Sequence, residues 1–350
     1  MKQKFGKSSG DILSYQKYLI EDIEEHIKNE KKFELRYSQS ENRESCIVCN
    51  TKITKLDFTR NSINFSFCEV CGHLNGHNVL GENLATEVYS EQAEEEIQYD
   101  KYYIQEEEEF DETVKRIYEP KAEFLADCLR GFLDKKDYQN LEILDFGTGS
   151  GHMVKAFNNV GFVNVFGIDP MKSTIDFGRK IMKINNLKRV STSSSLNYMS
   201  KTSAKIVSMI CTLPHVTNPG ALIASMKQNS NIQFTFQKLP LFSLASMLDI
   251  AHPEVNSRVI SGTHTHIYTE ESLKFIEQKY QMERVAEWRF GSDIIDLYRN
   301  LEISIQRKNF SNNTSKKFSE AFLPLVDQLQ LILDNNKFAS EVHILWKFKR

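Results

Sequence analysis

The sequence lacks the features that mark membrane, secreted and nucleic-acid-binding proteins. No apolar run in the 350 residues approaches the ~18 that a membrane span needs, so we expect no membrane partner. The first fifteen residues have no apolar segment of the kind found in secretory signals. Lys and Arg number 44 against 47 Asp and Glu, a formal net charge of −3, so no global positive field would attract nucleic acid. These absences predict a cytoplasmic protein without a nucleic-acid partner.

Cysteine is also scarce, and its spacing is informative. Six cysteines are too few for a disulfide framework, but four of them form two CxxC pairs, Cys46 with Cys49 and Cys68 with Cys71. Each pair can give two thiolates to one tetrahedral ion, and the 18 residues between the pairs suit a four-cysteine zinc ribbon. Four thiolates fill the coordination sphere, so we expect Zn2+ in a structural role. The alternatives are free thiols in a reducing cell or a redox pair.

Patterning along the chain predicts four parts. Residues 1–40 are polar and predict a helical lead-in, and residues 41–90 hold the zinc-binding ribbon. Residues 91–138 form an acidic and aromatic helical connector, in which eleven acidic residues lie between Glu91 and Glu112. Such a stretch is typical of a solvated face and would repel a phosphate backbone. Residues 139–350 predict the main domain with a C-terminal extension.

The main domain has the pattern of an α/β fold. From about residue 139, short apolar runs alternate with helical segments, which is typical of a mostly parallel sheet with crossover helices. The terminal EVHILWKFKR alternates apolar residues on one face and predicts a final strand. The polar run at residues 311–315 predicts an exposed loop.

The most informative stretch is a glycine-rich turn after the first central strand. LEILDF leads into Gly147, Gly149 and Gly151, and the next strand ends at Asp169, an acid placed to bind ribose hydroxyls. A dinucleotide dehydrogenase would have GxGxxG, but His152 stands where the third glycine belongs. A turn that merely packs against its neighbours is the remaining alternative.

The sequence DFGTGSG followed by GID resembles motif I and the acidic motif II of class I S-adenosylmethionine-dependent methyltransferases. The resemblance implies a Rossmann-like domain with a mostly parallel seven-stranded sheet and an antiparallel last strand. It implies that Gly147, Gly149 and Gly151 border the methionine part of S-adenosyl-L-methionine. Asp145 would then approach the amino end of this cofactor, and Asp169 would bind its ribose.

The layout of zinc module, central domain and C-terminal extension resembles the sugar methyltransferases, including C-methyltransferases, that act on nucleotide-linked deoxysugars. Residues 212–219 resemble the LEHxxNP segment of that family, with Pro214 in place of its glutamate. Residues 262–269 resemble its EHxxxF[ST] segment, with Thr263 in place of its glutamate. The resemblance implies methyl transfer to a nucleotide-linked sugar in surface polysaccharide or secondary-metabolite biosynthesis.

Histidines and tyrosines are the candidates for chemistry on the acceptor. A hydroxyl or a carbon acid needs a base before it is methylated, and histidine titrates near neutrality. The resemblance makes His264 the candidate base. His266, on the same face of the extended segment, is a second candidate, and His215 is expected to line the site. Relatives place aromatic residues over the cofactor or the acceptor, so we expect Tyr102 at the cofactor and Tyr103 at the acceptor. Two other functions stay open: a zinc-ribbon methyltransferase for protein or RNA, and a catalytically degenerate binding module.

Overall fold

We describe the protein from a computed structural model. The structure describes residues 1–15, 23–79, 81, 106–134, 139–255, 258–260, 264–308 and 311–350.

A large twisted sheet organises the main domain. In the described part of the chain it has eight strands: β1 (Lys2–Phe5), β5 (Ile143–Phe146), β6 (Val165–Asp169), β7 (Leu187–Arg189), β8 (Ile206–Ile210), β9 (Phe234–Pro240), β11 (Met282–Arg289) and β12 (Glu341–Phe348). Their order is β1-β11-β12-β9-β8-β5-β6-β7, and only the last strand, β12, runs antiparallel to its neighbours. The mostly parallel Rossmann-like sheet and its antiparallel last strand are therefore as expected.

The sheet has one strand more than expected, because the lead-in begins as a strand. Strand β1 pairs parallel with β11 from Lys2 against Ala286 to Phe5 against Arg289. The Trp288 indole donates a hydrogen bond to the carbonyl of Gly6, 2.9 Å away, and Lys4 lies over the same ring. The polar run KQKF carries no strand pattern of its own, so the neighbouring edge strand determines its conformation.

A second, smaller sheet carries the ribbon. In the described residues its order is β10-β4-β3-β2, made of β2 (Phe58–Arg60), β3 (Ile63–Phe67), β4 (Leu74–Gly76) and β10 (His266–Ile267). Strand β10 comes from the main domain, so the ribbon is not an isolated module. Gly76 allows this close approach, since a Cβ there would lie 2.6 Å from the carbonyl oxygen of Thr265.

Helices cover both faces of the large sheet. Those of the described residues are α1 (Ser9–Tyr15), α2 (Ile23–Ser38), α3 (Glu107–Thr113), α4 (Glu119–Leu129), α5 (His152–Asn159), α6 (Lys172–Lys180), α7 (Ser195–Lys201), α8 (Pro219–Gln228), α9 (Leu244–Ala251), α10 (Glu270–Lys279), α11 (Asp293–Arg307), α12 (Asn312–Phe322) and α13 (Val326–Asn335). Thr269 caps α10, its hydroxyl accepting from the Ser272 amide at 3.1 Å. None of these helices is long and apolar enough to cross a bilayer.

The expectation of an exposed loop at residues 311–315 is wrong, because α12 begins at Asn312. The helix is solvent-exposed along most of its length, but Phe318 and Phe322 stack on Tyr298 of α11. A polar N-terminal turn therefore belongs to a helix that is stabilised by aromatic contacts further along.

The core lies on both faces of the large sheet. Strand β12 shows this directly: Val342, Ile344 and Trp346 pack in one cluster of buried residues, whereas Leu345 packs in the other. The first of these clusters also contains Cys46 and Cys68, so the ribbon and the main domain share one continuous apolar core.

Candidate functional site

A cavity of about 190 Å³ opens at the carboxyl ends of β5, β6 and β8. Its walls include Gly147, Gly149, Asp169, Thr192 and His215. Open α/β sheets bind ligands at this edge, at the point where the strand order reverses. In this sheet that point is β5, which has β6 on one side and β8 on the other. We call this space the donor cavity.

Asp169 is held in place by the turn that it faces. Its Oδ2 accepts a hydrogen bond from the Gly149 amide and its Oδ1 accepts one from the Met171 amide, both at 2.9 Å. Burial raises the pKa of Asp169 to about 6, against the lowering effect of these two amides. The carboxylate therefore has a fixed orientation and is available to accept hydroxyl donors.

The glycines of the turn have positive φ angles, of 74° at Gly147, 54° at Gly149 and 93° at Gly151. A Cβ on Gly147 would lie 2.3 Å from Cγ2 of Thr212, so this position also needs glycine for space. Gly147 and Gly149 line the donor cavity. Gly151 stands behind it, as the N-cap of α5, against the side chain of Leu187.

A second cavity of about 200 Å³ adjoins the first and shares Gly147, Ile210 and Cys211 with it. We call it the inner cavity. Asp145 lines it, is only 2% exposed, and has one carboxylate oxygen without a hydrogen-bond partner. Burial raises the pKa of Asp145 to about 6, partly offset by the nearby hydroxyls of Thr148 and Ser208. A buried acceptor without a partner fits a ligand that brings an N–H donor.

Two of the predicted histidines lie side by side next to the donor cavity, although only His215 lines it. His215 lies in the 3-10 turn Leu213–His215 and lines the cavity, and the ring of His264 lies 4.9 Å from its ring. Nδ1 of His264 lies 2.9 Å from the carbonyl oxygen of Val259. That carbonyl can only accept, so Nδ1 carries the proton and Nε2 is the nitrogen that can take up another. Burial, then the proximity of His215, lowers the pKa of His264 to about 3, so the ring is neutral at pH 7.

The structure does not bring the third histidine to either cavity. His266 is 1% exposed in β10, and its Nδ1 lies 2.9 Å from Nε2 of His73 in the ribbon. Neither cavity is lined by His266. Tyr102 and Tyr103 lie outside the described residues.

The four CxxC cysteines converge. Their Sγ atoms all lie within 4.8 Å of one another, with Cys46 and Cys71 at 3.6 Å and Cys49 and Cys68 at 3.3 Å. A tetrahedral zinc ion with Zn–S bonds of ~2.3 Å separates its sulfurs by roughly 3.8 Å. The amides of Asn50 and Gly72 close the two turns by donating to the carbonyls of Cys46 and Cys68. The donor set and its geometry fit a zinc ion with no open position.

Sequence reasoning missed the charged groups of the inner cavity: Lys7, Lys121, Lys238 and Glu341. One signal was available, because Lys121 lies on the same helical stripe as Phe124, Leu125 and Cys128, and a lysine on a buried stripe is unusual. The other three come from β9, β12 and the N-terminal segment, whose meeting only the fold determines. Cys211 follows β8 with a positive φ of 57°, which no sequence pattern reveals.

Part of the chain matches a family of known proteins. The family described as "Methyltransferase domain" matches residues 110–287, just over half of the chain. No curated protein matches the sequence. The solved structures with a similar fold include the plantazolicin methyltransferase BpumL with SAH, at 16% identity and TM-score 0.46, covering 77% of this chain and 95% of that one. They also include magnesium protoporphyrin IX methyltransferase of Synechocystis PCC 6803 with bound SAH, at 10% identity and TM-score 0.42, covering 58% and 90%. A third is geranyl diphosphate methyltransferase with SAM, at 12% identity and TM-score 0.39, covering 69% and 90%.

Proposed function

The chain belongs to the methyltransferase-domain family, and from that premise we propose that it transfers a methyl group to a small acceptor, a sugar linked to a nucleotide. It is an S-adenosylmethionine-dependent methyltransferase. The observation that carries the proposal is the pair of adjoining cavities at the carboxyl edge of the sheet, with Asp169 in one and Asp145 in the other.

The donor fits the residues present. We propose that Asp169 accepts the ribose hydroxyls, that Gly147 and Gly149 lie along the methionine part, and that the open oxygen of Asp145 accepts from the amino group. Thr192 and Ser195 line the donor cavity beyond Asp169 and would border the adenine. When bound, S-adenosylmethionine supplies an activated methyl group on a sulfonium, so the protein contributes mainly alignment and exclusion of water.

His264 is the proposed base. A sugar hydroxyl or an acidic C–H must lose a proton as its oxygen or carbon attacks the methyl group, and Nε2 of His264 would receive that proton. The carbonyl of Val259 holds the ring in the tautomer that this step needs. His215 packs beside it at the wall of the donor cavity and would position the acceptor.

The proposed zinc ion acts on structure. The ribbon binds the segment that carries His264, because Asn75 in β4 pairs with His266 and the Gly76 amide donates to Thr265 at 3.0 Å. Lys279 of α10 also donates to the carbonyl of Val48, between the first two cysteines, at 2.9 Å. Thiolates that ligate zinc need a reducing compartment, and the cytoplasm is part of the proposal.

Calorimetry and turnover test this function. S-adenosylhomocysteine should bind the purified zinc-loaded protein, and Asp169→Asn should weaken it at least tenfold. Asp176→Asn, a partly exposed position of the following helix paired with Lys180, is the matched control and should bind normally. Methyl transfer to an active member of a panel of nucleotide-linked sugars should then be roughly 100-fold slower in His264→Gln. Absence of S-adenosylhomocysteine binding would overturn the enzymatic proposal, whereas binding without turnover on any sugar would overturn the acceptor class.

A further inference from the structure

The inner cavity contains a buried lysine that forms no ion pair with another described residue. Lys121 is 5% exposed in α4 and lines the cavity. Its Nζ lies 4.4 Å from the ring centroid of Tyr118, and no carboxylate of the described residues forms an ion pair with it. A buried ammonium without an ion-pair partner is costly, and a ligand that supplies an anion would offset that cost.

The other charges of the cavity do not neutralise Lys121. Glu341 is engaged by Lys238 at 3.0 Å and by Arg258 at 3.6 Å. Lys7 also lines the cavity, and its Nζ donates to the carbonyl of Arg116 at 3.2 Å. Glu341 attracts both Lys7 and Lys121, and Asp11 attracts Lys7, but the pKa of each lysine is still lowered by burial, so these carboxylates offset the positive charge only in part.

The cavity thus offers both halves of a site for an α-amino acid. Asp145 presents an open carboxylate oxygen for an ammonium group, and Lys121 and Lys7 present ammonium groups for a carboxylate. The methyl donor ends in such an amino acid, and this cavity joins the donor cavity at Gly147 and Cys211.

We propose that Lys121, assisted by Lys7, binds the α-carboxylate of the methyl donor in the inner cavity. The inference rests on the proposed function, because it requires S-adenosylmethionine as the donor. A carboxylate or phosphate of the acceptor is the competing anion. The donor is favoured because Asp145, the partner for an amino group, lines the same small cavity.

Titration calorimetry on the full-length zinc-loaded protein separates the two sources. The probes are S-adenosylhomocysteine and its decarboxylated analogue, the 3-aminopropyl thioether of adenosine, which keeps the amine and lacks the carboxylate. Lys121→Met should weaken S-adenosylhomocysteine roughly 30-fold and leave the analogue's affinity unchanged. Lys7→Met should give a smaller loss with the same dependence on the carboxylate. Lys155→Met, which removes a positive charge from α5 outside both cavities, should change neither affinity.

Proton uptake gives a second measurement. Burial, then repulsion from Lys238 and Lys7, lowers the pKa of Lys121 to about 7, against the opposite effects of Glu341 and Cys211. Asp145, with its pKa of about 6, and His152, whose pKa burial lowers to about 3, do not change charge near pH 8. A bound carboxylate raises the pKa of Lys121, so binding of S-adenosylhomocysteine at pH 8 should take up about one proton, seen as buffer-dependent enthalpy. Lys121→Met should abolish that uptake.

The outcomes are distinct. Equal weakening of both probes by Lys121→Met, or no weakening of either, overturns the assignment. Weakening of a nucleotide-linked sugar or of pyrophosphate with S-adenosylhomocysteine unaffected assigns the lysine to the acceptor and also overturns it. If S-adenosylhomocysteine fails to bind the unaltered protein, the proposed function itself is wrong. Circular dichroism and zinc content check that each variant is folded.

Discussion

Replacing Gly147 by alanine tests whether the turn after β5 is shaped for a ligand. The backbone there has a φ of 74°, which costs an L-residue about 1–2 kcal/mol. The new Cβ would lie 2.3 Å from Cγ2 and 2.5 Å from Oγ1 of Thr212, so one of the two segments must move, at a further cost of about 1–3 kcal/mol. We expect Gly147→Ala to lower the free energy of unfolding by roughly 2–5 kcal/mol, the sum of these two effects.

The same change should weaken S-adenosylhomocysteine binding roughly tenfold or more, because Gly147 lines both cavities and a shift of about 1 Å disturbs every contact along the turn. Gly161→Ala is the matched control. Gly161 has a φ of 99°, lines neither cavity, and its Cβ would meet only the flexible side-chain end of Gln139. Urea unfolding should therefore show a lower free energy of unfolding in both variants. Calorimetry should show weaker binding of S-adenosylhomocysteine only in Gly147→Ala.

Adding Thr212→Ala separates the two costs. It removes the two atoms nearest to the new Cβ, so the double variant should regain the steric part of the stability and retain the backbone part. The reasoning is refuted if Gly147→Ala binds S-adenosylhomocysteine normally and is no less stable than Gly161→Ala.

Three other predictions concern the metal, the base and the effect of pH. Cys68→Ser should lose about one zinc ion per chain by elemental analysis and lower the thermal unfolding temperature, whereas Cys128→Ser, buried outside the cluster, should keep its zinc. His264→Gln should lower kcat on an active sugar substrate roughly 100-fold with little change in S-adenosylhomocysteine affinity; equal losses in both would contradict a role as base. S-adenosylhomocysteine affinity should fall as the pH drops through about 6, since the raised pKa values of Asp145 and Asp169 mean that both carboxyls protonate there and lose their negative charge. Calorimetry at pH 5 and pH 7.5 measures this, and Asp145→Asn should show a shallower fall.

Features that depend on residues close together in the chain could be predicted from the sequence, whereas features that depend on distant segments could not. The turn after β5, the acid at the end of β6 and the cysteine pairs each lie within a few residues of chain, and the folded chain contains all three. The lysines of the inner cavity come from segments more than a hundred residues apart, and only Lys121, on a buried helical stripe, carries a signal in the sequence. The sequence made both His264 and His266 candidates for the base, but one packs on His215 and the other on His73. A two-residue offset in an extended chain is enough to give them different neighbours.

Local sequence patterns were sufficient to predict the α/β fold, the glycine turn with its two acids, and a cluster of four thiolates. These features depend on backbone conformations and short spacings that particular residue types impose directly. Three results became visible only in the folded chain: KQKF is a sheet strand, the ribbon binds the segment of His264, and Lys121 lines the cavity of Asp145 without an ion pair to another described residue. Those results depend on which distant surfaces bury each other, and burial is what turns an ordinary lysine or histidine into a group with altered charge.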